Sequence, residues 1–364
     1  MQAEAAGNWP KPPVGLFSWG INNLGQLGLN NLVYLSSPVQ VGALSTWSQI
    51  ATGLGHTVAT KTDGTMWSWG SGGYGRLGLN DTANRSSPVQ IGALTTWYQV
   101  AAGSNFSLAI KTNGTMWSWG RNDFGQLGQN NTTYRSSPVQ VGALTTWYQV
   151  AAGGYLTLAI KTDGTLWSWG RNNEGQLGLN DTANRSSPVQ VGALTTWYQV
   201  SGGEAFALAT KTDGTLWSWG RNTNGQLGLG DVVTRSSPVQ VGALTTWSQI
   251  AGGKIHTLAT KTDGTLWCWG YNNSGQLGLG DTLGRSSPVQ VGALTAWSQV
   301  AGGESFSFSI KTDGTLWSWG SNNSGRLGLN NVVYRSSPVQ VGSLTTWLRL
   351  PKMSLSNFSV AIKG

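Results

Sequence analysis

Charged residues are scarce in this sequence. Asp, Glu, Lys and Arg make up 10% of its 364 residues, against about 25% in an ordinary soluble domain. A helical bundle or coiled coil, rich in Ala, Glu, Lys and Leu, is excluded on that ground. Cysteine occurs once, as Cys268, so there is no disulfide scaffold. Cys268 stands between Trp267 and Trp269 where the other copies of the segment have Ser, and reads as incidental. The 2 histidines lie far apart and leave no metal cluster. No segment approaches the run of about 18 apolar residues that a membrane helix needs. Serine is common, but no Ser motif comes with a suitable base. The Asp-Gly carboxylates come one per repeat, too far apart to act as a pair. Neither catalytic residues, a metal nor a cofactor is therefore expected, and the chain does not read as an enzyme. The first residues, Met1 to Gly7, have no basic start and no apolar core, which argues against a signal peptide and for a cytoplasmic or virion-associated protein.

Glycine and tryptophan supply the contrast, with 53 and 21 copies. Both follow from repetition. Gly164-Thr165-Leu166-Trp167-Ser168-Trp169-Gly170 returns at Gly214, Gly264 and Gly314, a spacing of 50 residues. Ser186-Ser187-Pro188-Val189-Gln190 returns unchanged in every copy from Ser36 to Ser336. A fixed period of this length marks a solenoid or propeller.

The repeated unit is β. Leu156, Leu158 and Ile160 alternate with Thr157 and Ala159, and Trp167 and Trp169 alternate with Leu166 and Ser168. Asp163-Gly164 between these runs is a strong hairpin signal. Thr195 to Val200 gives a further strand. Ser187 to Val191 gives a fourth, with Pro188 near its start, where a missing ladder donor does no harm. Four strands per unit describe a propeller blade. The tryptophans are expected to stack between blades.

The Trp-Gly strand occurs seven times, first as Leu16 to Gly20, whereas the strand that precedes it occurs only six times internally. The missing copy is Phe358 to Lys363, which matches Phe306 to Lys311 but is displaced by two residues from the strict period. The sequence therefore predicts an all-β, seven-bladed propeller over 15–364. Its N- and C-terminal strands share one blade and close the ring, which hides two open edges. Residues 1–14, with Trp9, Pro10, Pro12 and Pro13, read as an extended arm that packs on the propeller or joins it to a larger assembly such as a virus particle.

Gln-Val-Ala-Ala-Gly, a strand, Thr-Asp-Gly, the Trp-Gly strand and Gly175-Gln176-Leu177-Gly178 together resemble the regulator of chromosome condensation repeat family. The resemblance runs from about residue 15 to the end. It implies a seven-bladed propeller, in agreement with the strand count. The family's founding member is a nucleotide-exchange factor for a small GTPase and uses an inserted β-wedge. This chain has no insertion between its regular units, so that activity is the alternative reading. A lectin-like or enzyme-inhibiting propeller, such as the related bacterial inhibitors of β-lactamases, is another. A position often His in the family is His56 and His256 here, but Phe106, Leu156, Phe206 and Phe306 elsewhere. Apolar replacement points to packing, not chemistry.

Two places vary between repeats. One is the pair typified by Ser104-Asn105, Gly154-Tyr155, Glu204-Ala205, Lys254-Ile255 and Glu304-Ser305. The other follows Trp-Gly, as in Ser71 to Tyr74, Arg121 to Phe124, Arg171 to Glu174 and Tyr271 to Ser274. They flank one hairpin, at the end opposite its Asp-Gly turn, so one face of the ring should carry paired variable loops. Loops on a rigid scaffold commonly bind partners, and aromatics and Arg dominate hot spots. The candidate partner-binding residues are Tyr74, Asn105, Arg121, Phe124, Tyr155, Arg171, Glu174, Glu204, Arg221, Lys254, Tyr271 and Glu304. A third variable stretch, as at Asn130 to Tyr134, reads as drift.

The net charge of +8 raises nucleic acid as a partner. The basic residues are instead locked into the repeat, as Lys61 or Lys161 at the turns and Arg85 or Arg185 before Ser-Ser-Pro, and are spread round the ring. The expected partner is a protein, with neither nucleic acid nor membrane.

Overall fold

The computed structural model describes residues 14–43, 45–353 and 355–364. All but Val14 of the arm expected over 1–14 lies outside the described residues; Val14 pairs with Ser45. Six blades are continuous in sequence. Blade 3 is typical: Trp147–Ala152, Leu156–Lys161, Leu166–Gly170 and Arg185–Gln190 form an antiparallel sheet in that order. Blades 1 and 2 precede it, from Trp47 and Trp97, and blades 4 to 6 follow from Trp197, Trp247 and Trp297. The seventh blade is composite. Gly15–Gly20 lies beside Phe358–Lys363 in full register, from Gly15 opposite Lys363 to Gly20 opposite Phe358. Leu35–Gln40 and Trp347–Arg349 complete that sheet. The ring closes as the strand count requires.

The first strand of each blade is innermost. Gln49, Gln149, Gln199, Gln249, Gln299 and Arg349 line a central channel of about 400 Å³. Glutamines at this position of the strand tie neighbouring blades together: Val150 N donates to Gln99 Oε1 at 2.7 Å, and Val200 N to Gln149 Oε1 at 2.9 Å.

The tryptophans do not stack face to face. Trp147 meets Trp167 and Trp169 of its own blade at 83° and 58°, with centroids about 6 Å apart. The group is turned toward the preceding blade, where Trp147 and Trp169 pack with Phe106, Leu108 and Met116. Trp169 Nε1 donates across that interface to Gln126 O at 3.0 Å. Gly178 serves the next interface. Its φ is +71°, and a Cβ there would lie 2.8 Å from Trp219 Nε1, so the last Gly of Gly-Gln-Leu-Gly is required twice over. Trp169→Ala removes a fully buried ring and one interblade hydrogen bond. We expect a loss of about 3–5 kcal/mol by urea unfolding, and clearly less for Trp167→Ala, whose side chain is only half-buried.

Charge locked into the repeat serves the scaffold. Lys161 Nζ lies 3.5 Å from the Trp167 ring centroid. Burial lowers its pKa, against the pull of Asp163. Asp163 accepts from Thr165 Oγ1 at 2.6 Å, and Thr165 Oγ1 accepts Trp167 Nε1 at 2.9 Å. Arg185 pairs with Asp181 at 2.5 Å.

Two details differ from the sequence expectation. The outer strand begins at Arg185, so Pro188 is inside it, within the register shift between Gly170 opposite Arg185 and Ser168 opposite Val189. An edge-strand bulge tolerates Pro because no ladder partner is lost. The other concerns the two-residue displacement near the C-terminus. It lets Lys352–Met353 cross to blade 1 and pair in parallel with Ala51 and Thr52, giving that sheet a fifth strand.

Candidate binding face

The two variable places meet at one end of each of the six continuous blades. Arg121 N donates to Asn105 O at 2.9 Å, Arg171 N to Tyr155 O at 2.9 Å and Tyr271 N to Ile255 O at 3.0 Å. The Asp-Gly turn lies at the other end, where Thr162 N donates to Thr146 O at 2.9 Å. The first variable residues also bond to one another round the channel mouth. Leu54 N donates to Ser104 O, Ser104 N to Gly154 O, Gly154 N to Glu204 O and Glu204 N to Lys254 O, at 3.1–3.3 Å. The rim is thus a backbone girdle, and side chains at these positions project from a fixed frame.

The third variable stretch reaches the same face. Asn122 Nδ2 donates to Asn131 O at 2.9 Å, and Asn172 Nδ2 to Asp181 O at 3.0 Å. These side-chain bonds fold it back against the loop after Trp-Gly.

Five of the candidate residues come together across blades 1, 2 and 3. Tyr74 meets Tyr134 edge to face, with centroids 5.5 Å apart. Arg121 lies 5.1 Å from the Tyr74 ring and 5.3 Å from that of Tyr155. Phe124 meets Tyr155 at 5.4 Å, and Arg171 lies 5.3 Å from the Phe124 ring. Asp123 binds the Arg121 guanidinium and accepts from the Tyr134 hydroxyl. Desolvation works against ionisation of Asp123, yet Tyr134 and Arg121 hold its carboxyl below the usual range.

The remaining candidates are dispersed. Lys254 pairs with Glu304 at 3.0 Å in a separate group with Arg326. Glu174, Glu204, Arg221 and Tyr271 are half-buried on the face and join no side-chain contact of the cluster among the described residues. Asn105 is buried, with 8% of its surface exposed. It contributes its carbonyl to the frame, so its side chain is poorly placed to touch a partner.

Sequence reasoning missed Arg76, Asp123 and Tyr134. The signal for Arg76 is in the repeat. Gly-Gln-Leu-Gly becomes Gly-Arg-Leu-Gly at Arg76 and Arg326. In the other blades the Gln side chain accepts a backbone N–H two residues earlier, as Phe124 N to Gln126 Oε1 at 3.0 Å. Arginine can only donate. Arg76 Nε donates to Gly73 O at 2.8 Å and Arg326 Nε to Asn323 O at 3.0 Å. The intervening residues, Tyr74 and Ser324, adopt φ of +63° and +62°, the left-handed region that L side chains rarely occupy. The equivalent residues of the five Gln-bearing blades do not. Arg76 thus reverses the loop's hydrogen-bond polarity, and Tyr74 is presented by the reversed turn.

The two histidines lie beneath this face and are fully buried. His56 Nε2 is 3.0 Å from Ser107 Oγ, and His256 Nε2 is 3.0 Å from Ser307 Oγ, so each bonds into the next blade. Burial lowers the pKa of both, that of His256 to about 3. Burial also pushes the Cys268 thiol well up. Among the described residues no three His, Cys, Asp or Glu side chains are grouped to hold a metal ion.

Sequence profiles agree with this architecture. The profile described as RCC1-like domain matches residues 99–292. That described as regulator of chromosome condensation (RCC1) repeat matches 15–60, 63–110 and 313–350. No curated protein matches the sequence. Among solved structures, human WBSCR16 is 22% identical with a TM-score of 0.86, over 96% of this chain and 98% of that one. Prp20p from Saccharomyces cerevisiae, described with its binding to Gsp1p and histones, is 24% identical with a TM-score of 0.85, over 96% and 91%. Yeast RCC1 (Prp20) bound to Kap60 gives 22% and 0.86, over 100% and 96%. At these identities the likeness concerns the fold.

Proposed function

Because the chain belongs to the regulator of chromosome condensation repeat family, whose fold it adopts, we propose that it is a binding module that holds a protein partner on its variable-loop face. The observation that carries this reading is the cluster of Tyr74, Arg121, Phe124, Tyr155 and Arg171. Loops of three adjacent blades place aromatic rings and guanidinium groups in mutual contact. Such groups are the usual anchors of protein interfaces, and here they already pack against one another, which lowers the entropy cost of association. The solved relative Prp20p is described as binding Gsp1p and histones, in keeping with partner binding in this family.

The repeat supplies safe replacements for a test. Ser stands at the position of Arg121 in Ser71, at that of Phe124 in Ser274 and at that of Tyr155 in Ser305. Arg121→Ser, Phe124→Ser and Tyr155→Ser together should leave Tm nearly unchanged. The immobilised variant should lose the proteins that wild type retains from a cell extract, identified by mass spectrometry. A control with Tyr98, Tyr148 and Tyr198 replaced by Ser, exposed residues of the inner strands, should retain them. Equal retention by the loop-face variant sinks the proposal.

The exchange-factor reading rests on family membership. It makes a separate demand: the protein must accelerate release of labelled GDP from a small GTPase. We expect no acceleration, because no blade among the described residues carries an inserted hairpin. The version with a larger assembly draws on residues 1–14, nearly all outside the described set, and no comparison supports a virus-particle role.

A further inference from the structure

We propose that the cluster on blades 1 to 3 is a receptor for an acidic peptide segment, with Arg76 as the carboxylate-seeking group at its floor. The proposal rests on the loop-face reading and gives the partner its chemistry.

The argument starts from a comparison inside the molecule. Arg76 and Arg326 occupy the same place in their blades and are nearly as buried as each other, with 7% and 6% of their surface exposed. A guanidinium withdrawn from water needs an anion or a full set of acceptors. Arg326 has an anion: Glu304 Oε2 lies 3.8 Å from its Nη1. The residue of blade 1 at the position of Glu304 is Leu54, 40% exposed and apolar. Arg76 has no carboxylate within ion-pair distance among the described residues. Among the described residues its side chain meets Gly73 O through Nε and the Tyr74 ring at 5.5 Å, with Tyr155 also near enough to favour its charge. Burial brings its pKa down to about 10; Tyr74 opposes the shift and Arg121 adds to it.

The surroundings extend the same bias. The cluster contains three guanidinium groups, Arg76, Arg121 and Arg171, and one carboxylate, Asp123, so positive charge is in excess there. Asp123 is engaged by Arg121 and by the Tyr134 hydroxyl. A carboxylate delivered beside Leu54 would give Arg76 what Glu304 gives Arg326. A second would meet Arg171, which has no ion pair among the described residues. The rings of Tyr74, Phe124 and Tyr155 would pack the peptide's apolar parts.

The extent of the patch selects a short acidic segment over a nucleic acid. Three blades of seven carry it. Beyond it Glu204 and Glu304 alternate with Arg221, Lys254 and Arg326, so a polyanion that continues round the ring meets no continuous positive track. Carboxylates on a folded segment can match guanidinium forks pairwise.

The test uses fluorescence anisotropy of a labelled Glu-rich peptide at low and at physiological salt. A Gln-for-Glu peptide and a labelled single-stranded oligonucleotide of equal charge serve as comparisons. The Glu peptide should bind wild type more tightly than either, and added salt should weaken it. Arg76→Gln installs the residue of five other blades, so the variant should fold; binding should fall about tenfold or more. Leu54→Glu places in the chain itself the carboxylate that Glu304 supplies to Arg326, and should block the peptide. Arg326→Gln should leave binding unchanged. Undiminished peptide binding by Arg76→Gln and Leu54→Glu, absent peptide binding by wild type, or tighter binding of the oligonucleotide would overturn the proposal. If the loop-face variant loses its extract partners while wild type ignores the Glu peptide, the acidic chemistry alone fails. If it keeps those partners, the loop-face reading fails as well.

Discussion

Deleting the last seven residues, Phe358 to Gly364, should abolish the monomeric fold. The segment is the third member of a four-stranded sheet, between Gly15–Gly20 and Trp347–Arg349. Phe358, Val360 and Ile362 are all at least 97% buried, and burial of side chains of this kind contributes about 1.5–3 kcal/mol each. Together they approach the whole stability of a typical domain, about 5–15 kcal/mol. The deletion also leaves two strands with unpaired edges, in a ring that cannot close over the gap. Exposed edges pair with other chains. The truncated protein should therefore aggregate, or elute as large species in size-exclusion chromatography, without a cooperative calorimetric transition. A monomer with an unchanged Tm would show that ring closure contributes little. No mid-chain point substitution should have a comparable effect, since each removes one contact and leaves the ring intact.

Acid should destabilise the protein well before its carboxylates protonate, because of the buried histidines. His256 has an ordinary pKa of 6.5 when unfolded and about 3 when folded, chiefly through burial. Burial, with a contribution from Arg76, lowers the pKa of His56 as well. The unfolded chain therefore binds more protons than the folded one between these values. The stability from neutral, buried His is complete above pH 6.5 and is lost as pH falls toward 3. Each unit below 6.5 removes about 1.4 kcal/mol through His256, so at pH 4.5 that residue accounts for roughly 2–3 kcal/mol. The pKa of Asp163 is lowered too, but from a lower starting value. Its hydrogen bonds from Thr165 lower its pKa from 3.8, so its contribution is lost only below about that pH. Urea unfolding between pH 6.5 and 4.5 thus isolates the histidines. His256→Phe uses the residue found at Phe106, Phe206 and Phe306. It should flatten the profile by about one histidine's share, and the double variant with His56→Phe should flatten it further. A profile unchanged in the double variant would mean that other groups carry the acid sensitivity.

The histidines also show how far sequence reasoning reaches. Their replacement by Phe and Leu in sister repeats marked them as packing residues, and both are fully buried. The same logic located the hairpin ends at which variable loops gather. It failed where the answer depended on neighbours from other blades. Asn105 varies like its surface equivalents, yet lies beneath them. Tyr134 is in a stretch that reads as drift, yet meets Tyr74 of the preceding blade. Arg76 is visible as a departure from Gly-Gln-Leu-Gly, but its consequence for the backbone at Tyr74 follows only from knowing what the Gln side chains accept elsewhere.

The division has a physical cause. Within one unit, strand alternation, the Asp-Gly hairpin and the repeat period are local properties, written out in the order of the chain. Seven copies and one displaced terminal strand then leave a closed ring as the arrangement that buries every edge. These the sequence determined by itself. Which loops meet, which Arg finds a carboxylate and which does not, and where Lys352–Met353 pairs on blade 1 are relations between separate blades. They depend on distances and burial that no repeat encodes alone, and only the tertiary structure decided them.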